Sequence, residues 1–263
     1  MADHRPPGLI AAVVPILLFG FWWTATRDSP NGLIPQPAQV GRELLDLAGL
    51  THSGDAFNGV LWANLAASAS RVFSGFAVAT LLGVPMGLMI GQLQLVRRML
   101  DSTLQLLRPV PVTAWQPLFL ILFGLGSQSA TLLVALGCFY PILLNTILGV
   151  RSVEPRLFEA ASMLGISRAA MFPKVVLPSA MPGIFTGLRL SLGLAWVVIV
   201  VGEMSGIRDG LGAMIMDARE ESRTDVVIGG MIAIGLAGFV CDQVVLHIGR
   251  RLLRWSPQHG GAS

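Results

Sequence analysis

Apolar residues dominate this chain in long blocks, separated by short polar stretches, and each block is long enough for a buried or lipid-facing helix. Leu9–Trp23 is the first, flanked by Arg5 and Arg27-Asp28. Its apolar run is short, as in a signal peptide. The bulky Phe21-Trp22-Trp23, with no A-x-A following at once, favours a retained span with Trp22 and Trp23 at the interface. Ser29–Gly59 follows as a polar loop with Pro30, Asn31-Gly32, Pro35 and Pro37, and Arg42–Leu50 fits a short interfacial helix within it. Trp62–Gln92 predicts a second span, with a local kink at Pro85. Gly75, Ala79, Gly83, Gly87 and Gly91 recur in it at every fourth position, a small-residue stripe against which a neighbouring backbone can pack.

Val112–Phe123 is apolar but short against the roughly 20 residues a span needs, so the third span is expected to draw on residues 105–111 as well. Gly124–Ser129 predicts a turn, and Ala130–Val150 a fourth span. Gly183–Val201 makes a fifth, with a second small stripe at Gly183, Gly187, Ser191 and Ala195. Glu203–Asp225 is a polar connection of mixed charge, and Val226–Ile248 is the sixth span. The expected division is residues 1–59 (first span and outer loop), 60–250 (transmembrane domain) and 251–263 (C-terminal tail).

Composition agrees. The hydrophobic fraction is 53% and mean hydropathy is +0.69. Charged residues are 13%, against roughly 25% for soluble domains. Cys138 and Cys241 lie inside apolar runs with no CxxC or Cys/His cluster, which leaves no basis for a zinc site or a disulfide framework. Six spans place both ends on one side. That side carries Arg5, Arg97, Arg98, Arg108, Arg151, Arg156, Arg168, Lys174, Arg250, Arg251 and Arg254; the other carries Arg27, Arg42, Arg208, Arg219 and Arg223. Eleven against five puts both termini in the cytoplasm.

The polar insert between spans four and five, Arg151–Pro182, is then cytoplasmic. Ser152 is placed to cap a helix that carries Glu154 and Pro155 in its first turn, and Gly165 to stop it. Leu157, Phe158, Ala161 and Leu164 fall on one face. Ser167 suits a second cap, for a helix that Pro173 kinks or ends and that Pro178 closes. From the residues alone, such a helix either docks on a partner or lies on lipid.

Four charges fall in or near spans, where an unpaired charge costs at least a few kcal/mol. Arg189 and Asp242 each lie about 12–14 Å from the cytoplasmic end of their span, at 1.5 Å per residue. Arg71 and Glu203 both lie toward the outer face. The matched depths predict an Arg189–Asp242 pair and an Arg71–Glu203 pair, acting either as ties between helices or as part of a solute path.

The pattern Glu159-Ala160-Ala161, three residues, Gly165, nine residues, Val175-x-Leu177-Pro178 resembles the cytoplasmic signature loop of ABC importer permeases, the inner-membrane subunits of binding-protein-dependent transport systems. Val175 stands where that family usually has isoleucine, and Pro173 is an added departure. The resemblance spans about residues 60–250. Leu106-Leu107-Arg108-Pro109-Val110-Pro111, Phe139–Thr146 and Thr186-Gly187-Leu188-Arg189 look like the subgroup serving aliphatic sulfonates, taurine, nitrate and related small anions.

The resemblance implies an all-α membrane protein of about six transmembrane helices with the type I ABC importer permease fold, in a bacterial inner membrane. It implies a coupling loop over residues 151–178, contacting an ATP-binding subunit through Glu159, Ala160, Ala161 and Gly165, with Leu177 and Pro178 fixing how the loop meets the fifth span. It implies ATP-binding cassette ATPase subunits, a periplasmic substrate-binding protein and a second permease copy as partners, surrounded by lipid and without nucleic acid. This chain lacks a G-x-x-x-x-G-K-[ST] phosphate loop, and its only lysine, Lys174, follows Pro173. ATP and magnesium are therefore expected on the partner ATPase, with no cofactor, metal or catalytic residue here. A secondary transporter or channel is the alternative; an intramembrane enzyme has no paired nucleophile in its favour.

Overall fold

The computed structural model describes residues 7–28, 34–51, 54–107 and 109–253. Asn31-Gly32, Arg108 and the tail beyond residue 253 lie outside them. Among the described residues the regular structure is helical throughout: α1 Pro7–Thr26, α2 Pro37–Leu47, α3 Leu61–Gln92, α4 Gln94–Leu107, a 3₁₀ turn Val112–Trp115 leading into α5 Gln116–Phe123, α6 Ser127–Arg151, α7 Pro155–Met163, α8 Arg168–Met171, a π-helical turn Phe172–Val176, α9 Leu177–Glu203, α10 Leu211–Glu220 and α11 Thr224–Leu252.

Four stretches are long and apolar enough to cross a bilayer: 61–92, 127–151, 168–203 and 224–252. The first and third expected spans coincide with shorter apolar helical stretches, Ala12–Thr26 and Val112–Phe123. The third does not extend back over residues 105–111. Pro111 is the extended residue just before the 3₁₀ turn, and residues 105–107 belong to α4, because a proline pair two apart breaks the helix between them.

Helix α6 is the centre, with α3 on one side and α9 on the other. Both small-residue stripes face it. A Cβ on Gly87 would lie 2.6 Å from Thr146 Cβ, and one on Gly91 would lie 2.7 Å from Val150 Cβ. On α9, Gly183 sits so close that a Cβ there would be 2.7 Å from Gly149 Cα, and Ser191 Oγ donates to the Cys138 carbonyl at 3.0 Å. Backbones at this distance gain dispersion contacts that lipid cannot supply, which is how helices associate without a hydrophobic drive. Cys138, Ile142, Ala195, Trp196 and Ile199 complete the core.

Residues 168–203 run as one helical stretch despite Pro173, Pro178 and Pro182. The expected breaks at Pro173 and Pro178 do not occur. The π turn shifts the ladder so that Leu177 N–H reaches Phe172 O, five residues back, and the widened turn accommodates a ring whose nitrogen has no hydrogen to donate. Pro178 then occupies the tolerated first turn of α9.

Two elements of the polar connections are more buried than expected. Helix α2 lies against α11, with Val40 and Leu47 buried, instead of lying free at an interface. The Glu203–Asp225 connection folds into α10, which inserts Leu211, Ala213, Met214 and Ile215 beside α9 and α11.

Candidate functional site

Four places hold polar chemistry: a locked charge cluster where α3, α9 and α10 meet, an ion pair between α9 and α11, a loop cluster around Arg223, and the exposed helix α7.

In the first, Arg71 Nη1 donates to Glu203 Oε1 at 2.7 Å and to the Asp209 carbonyl at 2.9 Å, while its Nη2 pairs with the Asp209 carboxylate. Arg71 Nε donates to Ser127 Oγ at 3.0 Å. Glu203 also receives Ser68 Oγ at 2.8 Å and the Gly212 backbone N–H at 2.9 Å. Ser68 in turn accepts from Leu211 N–H at 2.8 Å. The first turn of α10 thus points the Gly212 amide at a carboxylate, at the favourable end of the helix dipole for an anion. Gly210, at φ +115°, must be glycine, since a Cβ there would strike the Glu203 carboxylate at 2.4 Å. The predicted Arg71–Glu203 pair exists, and both side chains are almost wholly buried. Ser68, Gly212 and the α10 N-terminus are additions that helical spacing does not reveal: Ser68 is a single polar residue inside the second span, and the other two come from a connection with no apolar period.

The second predicted pair also exists. Arg189 Nε and Nη2 grip Asp242 Oδ1 and Oδ2 at 2.6 and 2.8 Å, a bidentate fork. Here the side chains are 44% and 29% exposed. They line a cavity of about 460 Å³ between α9 and α11, together with Phe185, Thr186, Val245 and Gly249.

A further cluster, absent from the sequence expectations, ties the loops at the α10 end. Arg223 donates to Asp55 at 2.6 Å and to Glu43 and Asp225 at 3.1 Å, and its guanidinium lies 5.9 Å from the Phe57 ring centre. Hydrogen bonding to Asp225 and Asp55 raises the Arg223 pKa, although burial opposes it. Burial raises Glu43 above its ordinary value, and Arg223 only partly offsets this. The hydrogen bond from Arg223 lowers Asp55. Glu43, Asp46 and Asp55 each bring a carboxylate oxygen within 4.8 Å of the others, a spacing that a metal ion tolerates. Here the Arg223 guanidinium supplies countercharge, and Asp46 accepts from Asn58 at 2.6 Å and from Thr51.

The loop carrying the signature pattern differs locally from expectation. Ser152 does not cap α7; it ends α6, and its Oγ donates to the Gly149 carbonyl at 2.9 Å. Glu154 takes the extended residue position before Pro155. Gly165 has φ +76° just past the end of α7 and Ser167 accepts from Ala170 N–H, as those residue types predict. Phe158 and Ala161 turn inward, Phe158 onto Val150, Val176, Ala180 and Ile184. Leu157 and Leu164 do not join them and are exposed, as are Glu159, Ala160, Met163 and Gly165. Leu177 and Pro178 are half-buried where the π turn passes into α9.

Residues 79–254 match the family described as binding-protein-dependent transport system inner membrane component. The taurine transport system permease protein TauC of Escherichia coli (strain K12) is 39% identical over 95% of this chain and 90% of its own length. The putative aliphatic sulfonates transport permease protein SsuC of Bacillus subtilis (strain 168) is 40% identical over 81% of this chain and 77% of its own. The nitrate import permease protein NrtB of Leptolyngbya laminosa is 33% identical over 92% and 86%. Among solved structures, an amino acid ABC transporter chain superposes with a TM-score of 0.56 at 19% identity, over 75% of this chain and 94% of that one. A chain of the inward-facing methionine transporter MetNI gives 0.55 at 18% identity, over 69% and 93%. The helical architecture and these likenesses place the chain in the binding-protein-dependent transport system inner membrane component family, as a multi-pass transporter subunit with the type I ABC importer permease fold.

Proposed function

We propose that this chain is the permease of an ATP-driven importer for a small oxyanion of the sulfonate, taurine or nitrate type, in a bacterial inner membrane. Two copies form the translocation path, a periplasmic binding protein delivers the solute to the α2–α10 end, and separate ATPase subunits drive the cycle from the α7 end. Relatives named for taurine, aliphatic sulfonate and nitrate transport support the solute class.

The observation that carries the coupling role is the two-sided character of α7. Phe158 ties its inner side to the start of α9, through the cluster of Val150, Val176 and Ala180, and Ala161 on α7 is buried as well. Its outer side leaves Glu159, Ala160, Met163 and Leu164 uncovered, with Met163 and Leu164 more than four-fifths exposed. A helix of 9 residues, pinned at one side and presenting exposed apolar residues on the other, is suited to docking in a partner's groove and passing that partner's movement into the membrane helices. Glu159 offers a carboxylate to a basic group of the partner, Ala160 and Gly165 permit close approach, and Ala161, Leu177 and Pro178 set the angle at which α7 meets α9.

The test is co-purification with the ATPase and hydrolysis stimulated by loaded binding protein. Glu159→Arg is expected to abolish assembly or uncouple hydrolysis from import. An assembled complex with unchanged transport-linked hydrolysis would sink the role given to Glu159.

A further inference from the structure

The two intramembrane ion pairs are built differently. Arg71 is almost fully buried, and all three guanidinium nitrogens are bonded, to Ser127, Glu203 and Asp209. Nothing can enter there without dismantling the meeting of three helices. Arg189 spends Nε and Nη2 on Asp242, and among the described residues Nη1 has no further partner. The pair is also substantially exposed and lines a cavity of about 460 Å³. Charges inside a span avoid hydrocarbon and face water-filled or protein-lined space. A half-exposed pair at this depth therefore faces water or another protein surface, not lipid.

The chemistry of the pair specifies what it would take. A guanidinium binds a carboxylate through two parallel N–H···O bonds, and a sulfonate or nitrate presents the same two-oxygen edge. Such an anion competes with Asp242 for one fork. We propose that Arg189 is a transient station for the transported oxyanion, with Asp242 as its built-in competitor; this rests on the oxyanion-import reading above. The competitor has a function. A bare guanidinium within the span would hold an anion too firmly, whereas passage requires binding strong enough to admit the solute and weak enough to release it. When the anion leaves, Asp242 returns to the fork, so Arg189 is not left as an uncompensated charge in the span. Thr186, one turn before Arg189, places a hydroxyl on the same wall, already donating to the Pro182 carbonyl at 2.9 Å, so that its oxygen remains an acceptor for a donor-bearing solute.

Two measurements decide it. The first needs no knowledge of the solute. In a Cys241→Ser background, where the remaining Cys138 is buried, Thr186→Cys is treated with an anionic and a cationic water-soluble methanethiosulfonate reagent. With each rate divided by that reagent's rate with a small free thiol, the anionic reagent is expected to react about tenfold faster, because an anion that competes with Asp242 for the Arg189 fork is concentrated beside position 186, as anions are at a positive site in a low-dielectric cleft. Arg189→Gln should erase the preference. Equal normalised rates, or no modification by either reagent, would overturn the station.

The second uses the chain assembled with its ATPase and binding protein in proteoliposomes, with labelled taurine, ethanesulfonate and nitrate as probes. Import of none of them by the wild type counts against the oxyanion reading, and the thiol rates then judge the station alone. Where the wild type imports one, the swap Arg189→Asp with Asp242→Arg keeps an ion pair but moves the cation to α11. It should assemble and lose about tenfold or more of import, the scale of one misplaced positioning contact. Wild-type import by the swapped chain would reduce the pair to a tie between helices. If the swapped chain does not assemble, the thiol rates again decide.

Discussion

Ser68 Oγ lies 2.8 Å from each carboxylate oxygen of Glu203, a residue 135 positions later in the chain. That contact, with Arg71 on the same carboxylate, fixes the register of α3 against α9 at the end where α10 begins. Removing one member leaves a buried charge without compensation. Arg71→Ala is expected to cost about 3–5 kcal/mol, the range for breaking a buried pair. The loss of the Asp209 contact adds little, since the Asp209 side chain is 61% exposed. Replacing both charges, Arg71→Met with Glu203→Leu, should recover much of the loss. Thermal unfolding in detergent checks this; a double variant no better than Arg71→Ala would show that Ser68 and the Gly212 amide, and not the guanidinium, are the main partners of Glu203.

The α6–α9 seam makes a sharper prediction, because its closest contacts are backbone. A Cβ on Gly183 would lie 2.7 Å from Gly149 Cα and 2.9 Å from the Asn145 carbonyl oxygen, and neither atom can rotate away. Gly183→Ala must push the helices apart and is expected to cost about 1–3 kcal/mol, as overpacking does. Gly193 lies on the same helix, and a Cβ there would meet nothing within 4 Å, so Gly193→Ala should be neutral or slightly stabilising. Equal melting temperatures for the two variants would mean that the seam opens without penalty.

How much of this was legible from the chain depends on whether the determinant repeats. The stripe Gly75, Ala79, Gly83, Gly87, Gly91 states its own period, and it does face α6. Arg71–Glu203 and Arg189–Asp242 followed from depth alone, since a charge in a span must find a partner at its own level. Pro173 misled because proline normally ends a helix; one π turn resolves the missing donor, and nothing local announces it. Ser152 misled because the same side chain suits the end of α6 as well as the start of α7. Arg223 was invisible as a hub because Asp55 and Glu43 lie 168 and 180 positions away. Within the α7 loop, Gly165 and Ser167 declare themselves by residue type, but which of Leu157, Phe158 and Leu164 faces inward is set by contact with Val176 and Ile184.

The Arg223 hub should give stability two opposing pH dependences. Asp55 is lowered below its ordinary 3.8 by the Arg223 hydrogen bond, so its contribution is present above that value and lost as pH falls through the folded-state pKa. Glu43 is raised above 4.5, chiefly by burial. Folding therefore favours its protonated form, and stability is lost as pH rises from 4.5 through the raised value. Glu43→Gln removes that loss. Its melting temperature relative to wild type should be higher at pH 7.5 than at pH 4. Asp55→Asn should behave oppositely, with its deficit shrinking as pH falls below 3.8. Melting curves of both variants across this range check the signs, and parallel shifts at all pH values would remove Glu43 and Asp55 as the titrating groups.

The apolar outer side of α7 allows docking to be separated from folding. Met163 and Leu164 are 87% and 81% exposed, so their replacement by polar residues removes almost no internal packing. Ala161 is only 5% exposed, covered by the chain itself. Met163→Glu with Leu164→Glu should leave the melting temperature of the isolated permease within about 1 °C, as surface substitutions do, yet abolish recovery of the ATPase. Ala161→Leu should act in the other order, lowering permease stability by about 1–3 kcal/mol through overpacking and disturbing the ATPase only through a displaced α7. Side-by-side melting and co-purification of the two variants tests this. Full ATPase recovery with both glutamates in place would mean that α7 docks through Glu159 and Ala160 alone, with no apolar component.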